Sequence, residues 1–110
     1  MTTRIPAHLE VSGLIRSVEA AGGFATVLYR GERESGTILI VLTRGGVNSR
    51  LYERLPGSDF ERSWQLIKTQ DPGNPTEFSE YLIRRSGRDP DLWIVELDIA
   101  DGERFIGLTG

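Results

Sequence analysis

Cysteine is absent from this chain of 110 residues, and histidine occurs once, as His8. The lack of cysteine excludes disulfides, thiolate nucleophiles and every metal site that is built on cysteine, and it is compatible with a reducing compartment. A basic surplus is absent as well, because the net charge is -3. Proteins that bind nucleic acids usually carry such a surplus, so the bulk charge argues against nucleic-acid binding as a function.

Long hydrophobic runs are also missing. The longest, Ile38 to Leu42, is far too short to cross a membrane. The first residues, Met1 to Pro6, lack the apolar segment of a secretory signal. The length and the ordinary hydrophobic content predict one soluble, cytoplasmic domain over residues 1–110.

Two segments have the apolar spacing of a helix. Val11, Leu14, Ile15 and Val18 share one face of a helix over 7–21, which Gly22-Gly23 ends. The second helix begins at Pro75, with Asn74 as its N-cap and Glu77 completing a capping-box pattern, and ends at 87. The sequence therefore predicts one helix at the start of the chain and one late in it.

Strands are predicted between these helices and after them. Aromatic and β-branched residues indicate strands at 24–30, 37–43, 48–55, 62–69 and 92–99. Asp101-Gly102 predicts a hairpin into a short last strand over 103–108. Short turns join the first four strands, which predicts antiparallel pairing. The fold class is thus α+β: an N-terminal helix, an antiparallel four-strand meander, a second helix and a C-terminal strand or hairpin.

Three stretches carry a resemblance to a known family: Leu14-Ile15-Arg16 with Ala20-Ala21-Gly22-Gly23, Arg50-Leu51-Tyr52, and Asp89-Pro90-Asp91-Leu92-Trp93-Ile94-Val95-Glu96. The chain resembles small alphaproteobacterial proteins that are known as a domain of unknown function. Asp-Pro-Asp-Leu-Trp is the most specific part, and the chain lacks the aromatic residue expected near Glu10. The resemblance implies a bacterial cytoplasmic protein and brings no activity, cofactor or catalytic residue with it.

Catalytic and metal-binding patterns are weak. His8 stands alone near a helix start, where a solvated histidine is more common than a general base. Phosphate-binding glycine loops do not occur. Carboxylates gather near the end of the chain, but without the spacing of a calcium loop. We expect no catalytic residue, no metal and no cofactor, although a small enzyme stays open as an alternative.

Arginine dominates the basic residues, and Lys68 is the only lysine among the thirteen. Arg84, Arg85 and Arg88 cluster at the end of the second helix, where they could bind an anion or a nucleic acid. Complementation of the helix dipole is the simpler explanation of the cluster, and the arginine bias of a GC-rich genome is a third. With Asp89 and Asp91, these arginines form the candidate ligand site, around Arg88-Asp89-Pro90-Asp91, of a small enzyme or anion-binding protein.

The aromatic and apolar residues favour a different hypothesis. Trp93 alternates with other apolar residues and is predicted in the core, whereas Trp64 is either core or an anchor for a partner. If both helices pack on one face, an apolar patch remains on the other, and its residues are Ala25, Val27, Leu39 and Val41. Such a patch predicts a protein partner or a homodimer, unless loop 56–62 covers it with Phe60. The leading hypothesis is therefore a non-catalytic binding or adaptor domain.

Overall fold

A computed structural model describes residues 5–55 and 63–107 of the chain. Within these ranges it contains two α-helices, five strands and one 3-10 helix. In chain order they are α1 (Ala7–Ala20), β1 (Phe24–Tyr29), β2 (Ile38–Arg44), β3 (Val47–Leu55), β4 (Ser63–Thr69), α2 (Pro75–Arg88), β5 (Trp93–Asp98) and the 3-10 helix (Gly102–Ile106). The predicted α+β class is confirmed. The predicted cover by loop 56–62 and Phe60 lies outside the described residues.

The strands form one mixed sheet in the order β1-β5-β2-β3-β4. β5 pairs antiparallel with β1 and parallel with β2, and Val95 lies between Val27 and Ile40. The predicted four-strand meander is therefore wrong at its first strand, because β5 separates β1 from β2. Residues 30–37 are long enough to carry the chain past the inserted strand. Only β2, β3 and β4 follow one another as a meander within the described part of the chain.

The two helices pack on opposite faces of the sheet. Side chains alternate along a strand, so β2 and β5 present apolar residues to both faces. The core beneath α1 contains Val11, Val18, Ile38, Ile40, Leu42, Tyr52, Trp93, Val95, Leu97 and Ile106. The core beneath α2 contains Leu39, Val41, Leu51, Phe78, Leu82, Leu92 and Ile94. The continuous apolar run of β2 is thus explained by two helices rather than by an exposed patch.

The predicted interface of Ala25, Val27, Leu39 and Val41 does not form a common surface. Leu39 and Val41 are 0% and 1% exposed, because α2 covers them. Ala25 and Val27 lie on the other face, half-buried against the core beneath α1. The assumption that both helices share one face was wrong, and the patch that depended on it is not present.

The chain after β5 also differs from the prediction. Asp101-Gly102 does not form a hairpin, and the 3-10 helix replaces the expected last strand. Asp101 adopts the left-handed conformation at φ 54°. A side chain on Gly102 would place its Cβ 2.9 Å from a methyl carbon of Leu42. The glycine therefore suits the close packing of the 3-10 helix on β2 rather than a two-residue turn.

Other local predictions have mixed outcomes. Trp93 is 2% exposed, which confirms it as core, and its indole N–H donates to the Glu32 carbonyl at 2.7 Å. Trp64 packs partly buried against the core beneath α1. Asn74 precedes α2 but makes no side-chain capping bond.

In residues 5–55 and 63–107, neither helix has the length and apolar character needed to cross a membrane.

Candidate interaction surface

Each face of the sheet carries one α-helix, which is too narrow to cover five strands. The sheet spans about 19 Å from β1 to β4, at about 4.8 Å for each strand spacing. A helix with its side chains is only about 10 Å wide. α1 packs over β1, β5 and β2, and α2 over β2, β3 and the beginning of β5. Each face therefore keeps one corner that its helix does not cover.

On the α1 face this corner lies on β3 and β4. We call it the β3–β4 corner, and its residues are Arg50, Arg54 and Trp64, at the border of the core that contains Tyr52. The Arg54 guanidinium binds both carboxylate oxygens of Glu10 in α1, with Nη2 3.0 Å from Oε1. The same guanidinium lies 4.9 Å from the centre of the Trp64 ring.

Glu103 of the 3-10 helix contacts the remaining polar side chains at this corner. Its Oε2 lies 2.6 Å from Nη2 of Arg50 and accepts a hydrogen bond from the Tyr52 hydroxyl at 3.3 Å. Burial, together with the negative charge of Glu103, raises the pKa of Tyr52. Both arginines of the β3–β4 corner are therefore neutralised by carboxylates of the same chain.

On the α2 face the uncovered corner lies on β1 and β5. We call it the β1–β5 corner, and its residues are Phe24, Thr26, Glu96 and Asp98. Thr26 lies directly opposite Glu96 in the antiparallel register, and Phe24 lies opposite Asp98. Such cross-strand neighbours have Cβ atoms about 5 Å apart. The corner thus combines an apolar ring, a small side chain and two carboxylates.

The two carboxylates of this corner have no cation of the described chain as a partner. Asp98 Oδ1 accepts a hydrogen bond from the Gly45 amide at 3.0 Å, which ties it to the turn after β2. Glu96 is partly buried on the sheet. Burial, with a smaller contribution from Asp98, raises the pKa of Glu96. The β1–β5 corner therefore holds uncompensated negative charge.

The outer edge of β1 adjoins this corner. β1 is the first strand in the sheet order, so no strand within the described residues pairs with its outer edge. Phe24 is 73% exposed and Leu28 is 36% exposed. β1 carries no charged residue and no proline between Phe24 and Tyr29. Charges and prolines are common protections of an edge strand against pairing with another chain. Within the described residues, the edge is therefore open over 24–27, before the register shift between Val27 and Tyr29.

The predicted arginine cluster is only partly assembled. Arg85 donates to the Tyr81 hydroxyl at 3.1 Å and to Glu53 on β3 at 3.3 Å. Burial opposes the charge of Arg85, but these two partners outweigh it and raise its pKa. Arg84 is exposed and lies 5.8 Å from the Tyr81 ring centre, and Arg88 is exposed. Arg85 thus ties α2 to the sheet.

Asp89 and Asp91 act in a turn between α2 and β5. The Asp89 carboxylate accepts a hydrogen bond from the Asp91 amide at 3.1 Å. The Asp91 carbonyl accepts from the Glu32 amide at 2.9 Å and lies so close to Gly31 that an added Cβ would be 2.2 Å away. The Asp89 side chain therefore shapes this turn, and Asp91 joins the turn to the loop of Glu32 through its backbone carbonyl.

Other candidate sites are also structural. Nδ1 of His8 lies 3.1 Å from the Arg33 carbonyl, within the loop that meets the start of α1. No group of three or more histidine or carboxylate side chains able to hold a metal occurs in 5–55 and 63–107. A cleft of about 110 Å³ lies between Ala7, Glu34 and Arg54. Pockets for small molecules usually measure about 300 Å³ or more, so this cleft is too small for one.

Comparison with known proteins identifies the family. The family model described as "Protein of unknown function (DUF1491)" matches residues 5–107. The chain belongs to the DUF1491 family. This confirms the resemblance to an alphaproteobacterial domain of unknown function. No curated protein matches the chain.

Solved structures of DUF1491 relatives share the fold. A crystal structure from Caulobacter crescentus is 29% identical, with a TM-score of 0.76, and the match covers 94% of this chain and 96% of that one. The solution structure of Atu0922 from A. tumefaciens is 30% identical, with a TM-score of 0.75 and coverage of 94% and 92%. An NMR structure of a C. crescentus DUF1491 protein is 28% identical, with a TM-score of 0.73 and 94% coverage of both chains.

Sequence reasoning missed the β1–β5 corner in this DUF1491 protein. It treated Glu96 and Asp98 as part of the carboxylates near the end of the chain, and it did not single out Phe24. The alternation of β5 was a sufficient signal that the two carboxylates share a face. No local signal placed β5 beside β1, because that pairing joins residues far apart in sequence.

Proposed function

We propose that this protein is a non-catalytic binding or adaptor domain that acts through a protein partner, which it binds along the outer edge of β1. The observation that carries the proposal is the open edge of β1 with Phe24 73% exposed at its start. An edge strand offers unpaired backbone N–H and C=O groups, which an extended segment of a partner can pair with. Exposed apolar residues beside that edge add buried area to the contact.

The opposite edge of the sheet supports this choice by contrast. β4 carries Lys68, whose ammonium lies 2.9 Å from Glu77 of α2 and 5.0 Å from the Tyr81 ring centre. A charged side chain on an edge strand opposes pairing with another sheet. β1 has no such residue, so it is the better edge for a partner.

The two alternative functions have less support. An enzyme or anion-binding site around Arg88-Asp89-Pro90-Asp91 would have to use the Asp89 carboxylate, which already accepts a hydrogen bond from the Asp91 amide. A nucleic-acid-associated function through Arg84, Arg85 and Arg88 would have to release Arg85 from Glu53. A cytoplasmic location is part of the proposal, and the absence of cysteine supports it.

Peptide selection tests the proposal. Random peptides of about eight residues, slightly longer than an ordinary strand, are panned on the immobilised protein. We expect enriched peptides to lose roughly tenfold or more in affinity for the Phe24→Ser variant, because the exposed ring would no longer add buried apolar area to the contact. Leu66→Ser is the matched control, since Leu66 is an exposed apolar residue on β4. Peptides that bind Phe24→Ser as well as the wild type would contradict the proposal.

A further inference from the structure

The charges of the β1–β5 corner differ from other charges of the described chain because they form no ion pair. Arg50, Arg54, Lys68 and Arg85 each bind a carboxylate from another element. Glu96, although partly buried, has no such partner within residues 5–55 and 63–107. A partly buried charge without a partner lowers stability. A cation from outside the described chain would remove that cost.

The position of these charges fixes how a partner could reach them. A strand added to the edge of β1 would lie about 9.6 Å from β5, which is two strand spacings. A lysine or arginine side chain and the Glu96 side chain can together span this distance. Thr26 lies between them and is small, so it leaves the path across β1 open. Phe24 borders the same path with an exposed ring, and cations bind favourably on aromatic faces.

We infer that the edge of β1 binds an extended basic segment of another protein, with alternate lysine or arginine side chains crossing Thr26 to Glu96 and Asp98. This inference rests on the proposed function and adds the chemistry of the partner. Side chains of an extended segment alternate between the two faces of the sheet. Every second residue of the segment therefore carries the positive charge, and the residues between them face the side that α1 covers.

A second copy of this chain fits the site less well. Pairing of β1 with its own copy would extend one sheet and place the carboxylates of both corners on the same face. The copies also repel each other, because each has a net charge of -3. Charge complementarity therefore favours a basic heterologous segment.

Three fluorescent peptides of about eight residues test the inference by anisotropy: alternating lysine and valine, serine and valine, and glutamate and valine. We expect the lysine peptide to bind roughly tenfold or more tightly than the serine peptide, and the glutamate peptide to bind weakest. The double variant Glu96→Gln with Asp98→Asn should lose that preference. The amide introduced by Asp98→Asn keeps an oxygen that can accept from the Gly45 N–H, so the fold is preserved.

The matched control is Glu19→Gln with Glu80→Gln, which removes the same charge from two exposed positions. It should change the affinity for the lysine peptide less than about twofold, because exposed charges at a distance are screened. Equal binding of the lysine and serine peptides, or an equal loss in both double variants, would overturn the inference. In that case, weaker binding of both peptides to Phe24→Ser would still support the proposed function.

Sedimentation equilibrium of the free protein tests whether a second copy of the chain binds at the edge of β1. We expect a monomer of 12.3 kDa at micromolar concentration. A dimer that Phe24→Asp dissociates would show that a second copy occupies the edge. That result would overturn the inference of a basic partner while leaving the edge as the interaction surface.

Discussion

The β3–β4 corner and the β1–β5 corner arise from the same cause but differ in their electrostatics. Both exist because one helix covers only part of a five-stranded sheet. In the β3–β4 corner, Glu10 of α1 and Glu103 of the 3-10 helix reach over to Arg54 and Arg50. In the β1–β5 corner, no cation of the described residues reaches Glu96 or Asp98.

This difference separates a structural surface from an interaction surface. Charges that are satisfied within the chain stabilise the fold and offer little to a partner. A charge that is desolvated but unpaired lowers the stability of the fold. Such charges are found mainly where function requires them. The β1–β5 corner has this property together with an open strand edge and an exposed aromatic ring, which is why we assign the interaction to it.

The largest effect is expected at Trp93, in the core beneath α1 that the β3–β4 corner borders. Trp93→Ala should lower the free energy of unfolding by about 3–5 kcal/mol, because it removes a buried ring and the hydrogen bond to the Glu32 carbonyl. Urea unfolding followed by circular dichroism measures this. A change below about 1 kcal/mol would show that Trp93 is not a core residue.

A smaller loss of stability is expected when the ion pair between Arg54 and Glu10 is removed from the β3–β4 corner. Arg54→Met keeps much of the side-chain length but leaves the Glu10 carboxylate without this guanidinium, which should cost about 1–3 kcal/mol. The control is Arg33→Met, because the Arg33–Glu34 pair is exposed and should contribute less than about 1 kcal/mol. Urea unfolding of both variants tests the comparison. Equal losses would mean that the β3–β4 corner is not stabilised by its charges.

In the β1–β5 corner, removing a charge is expected to raise the free energy of unfolding rather than to lower it. The folded pKa of Glu96 is raised above its ordinary value of 4.5, so the folded state holds this proton more tightly than the unfolded state. Ionisation of Glu96 therefore costs stability, and the cost develops as pH rises from about 4.5 through the folded pKa. Glu96→Gln should make unfolding harder at pH 7, and this gain should shrink towards pH 4.

Thermal unfolding of Glu96→Gln between pH 4 and pH 8 measures this pH dependence. Glu80→Gln, at an exposed position, is the control and should show no comparable trend. A Glu96→Gln variant that is less stable than the wild type at pH 7 would mean that the carboxylate already has a stabilising partner.

The smallest effect on stability is expected at Phe24. Because its side chain is 73% exposed, Phe24→Ser should change the free energy of unfolding by less than about 0.5 kcal/mol. It should nevertheless weaken binding of the lysine–valine peptide, since the ring borders the path of the cation. Stability loss of several kcal/mol would place Phe24 in the fold and remove it from the interaction surface.

Local patterns predicted the elements well, and they predicted the sheet less well. α1 and β5 were found because periodic apolar residues report which face is buried. The position of β5 between β1 and β2 depends on pairing between residues more than fifty positions apart, such as Ile40 and Val95. No turn or periodicity encodes such a pairing. The predicted patch at Leu39 and Val41 was wrong for the same reason, since the face chosen by α2 is not a local property.

The β1–β5 corner could be recognised only when the pairing of β1 with β5 was known. Glu96 and Asp98 could be assigned to one face from the sequence, but Thr26 and Phe24 join them only through the antiparallel register of β1 and β5. The arginines at the end of α2 illustrate the reverse case. Their clustering was visible in the sequence, whereas the engagement of Arg85 by Glu53 on β3 was not.

An NMR titration locates the peptide-binding surface on the sheet. Isotope-labelled protein is titrated with the lysine–valine peptide, and amide shifts are followed along both edges of the sheet. We expect the largest shifts in β1 and at Glu96 and Asp98 of β5, slower amide exchange in β1, and little change in β4. Shifts confined to β4 or α2, with β1 unchanged, would contradict this expectation.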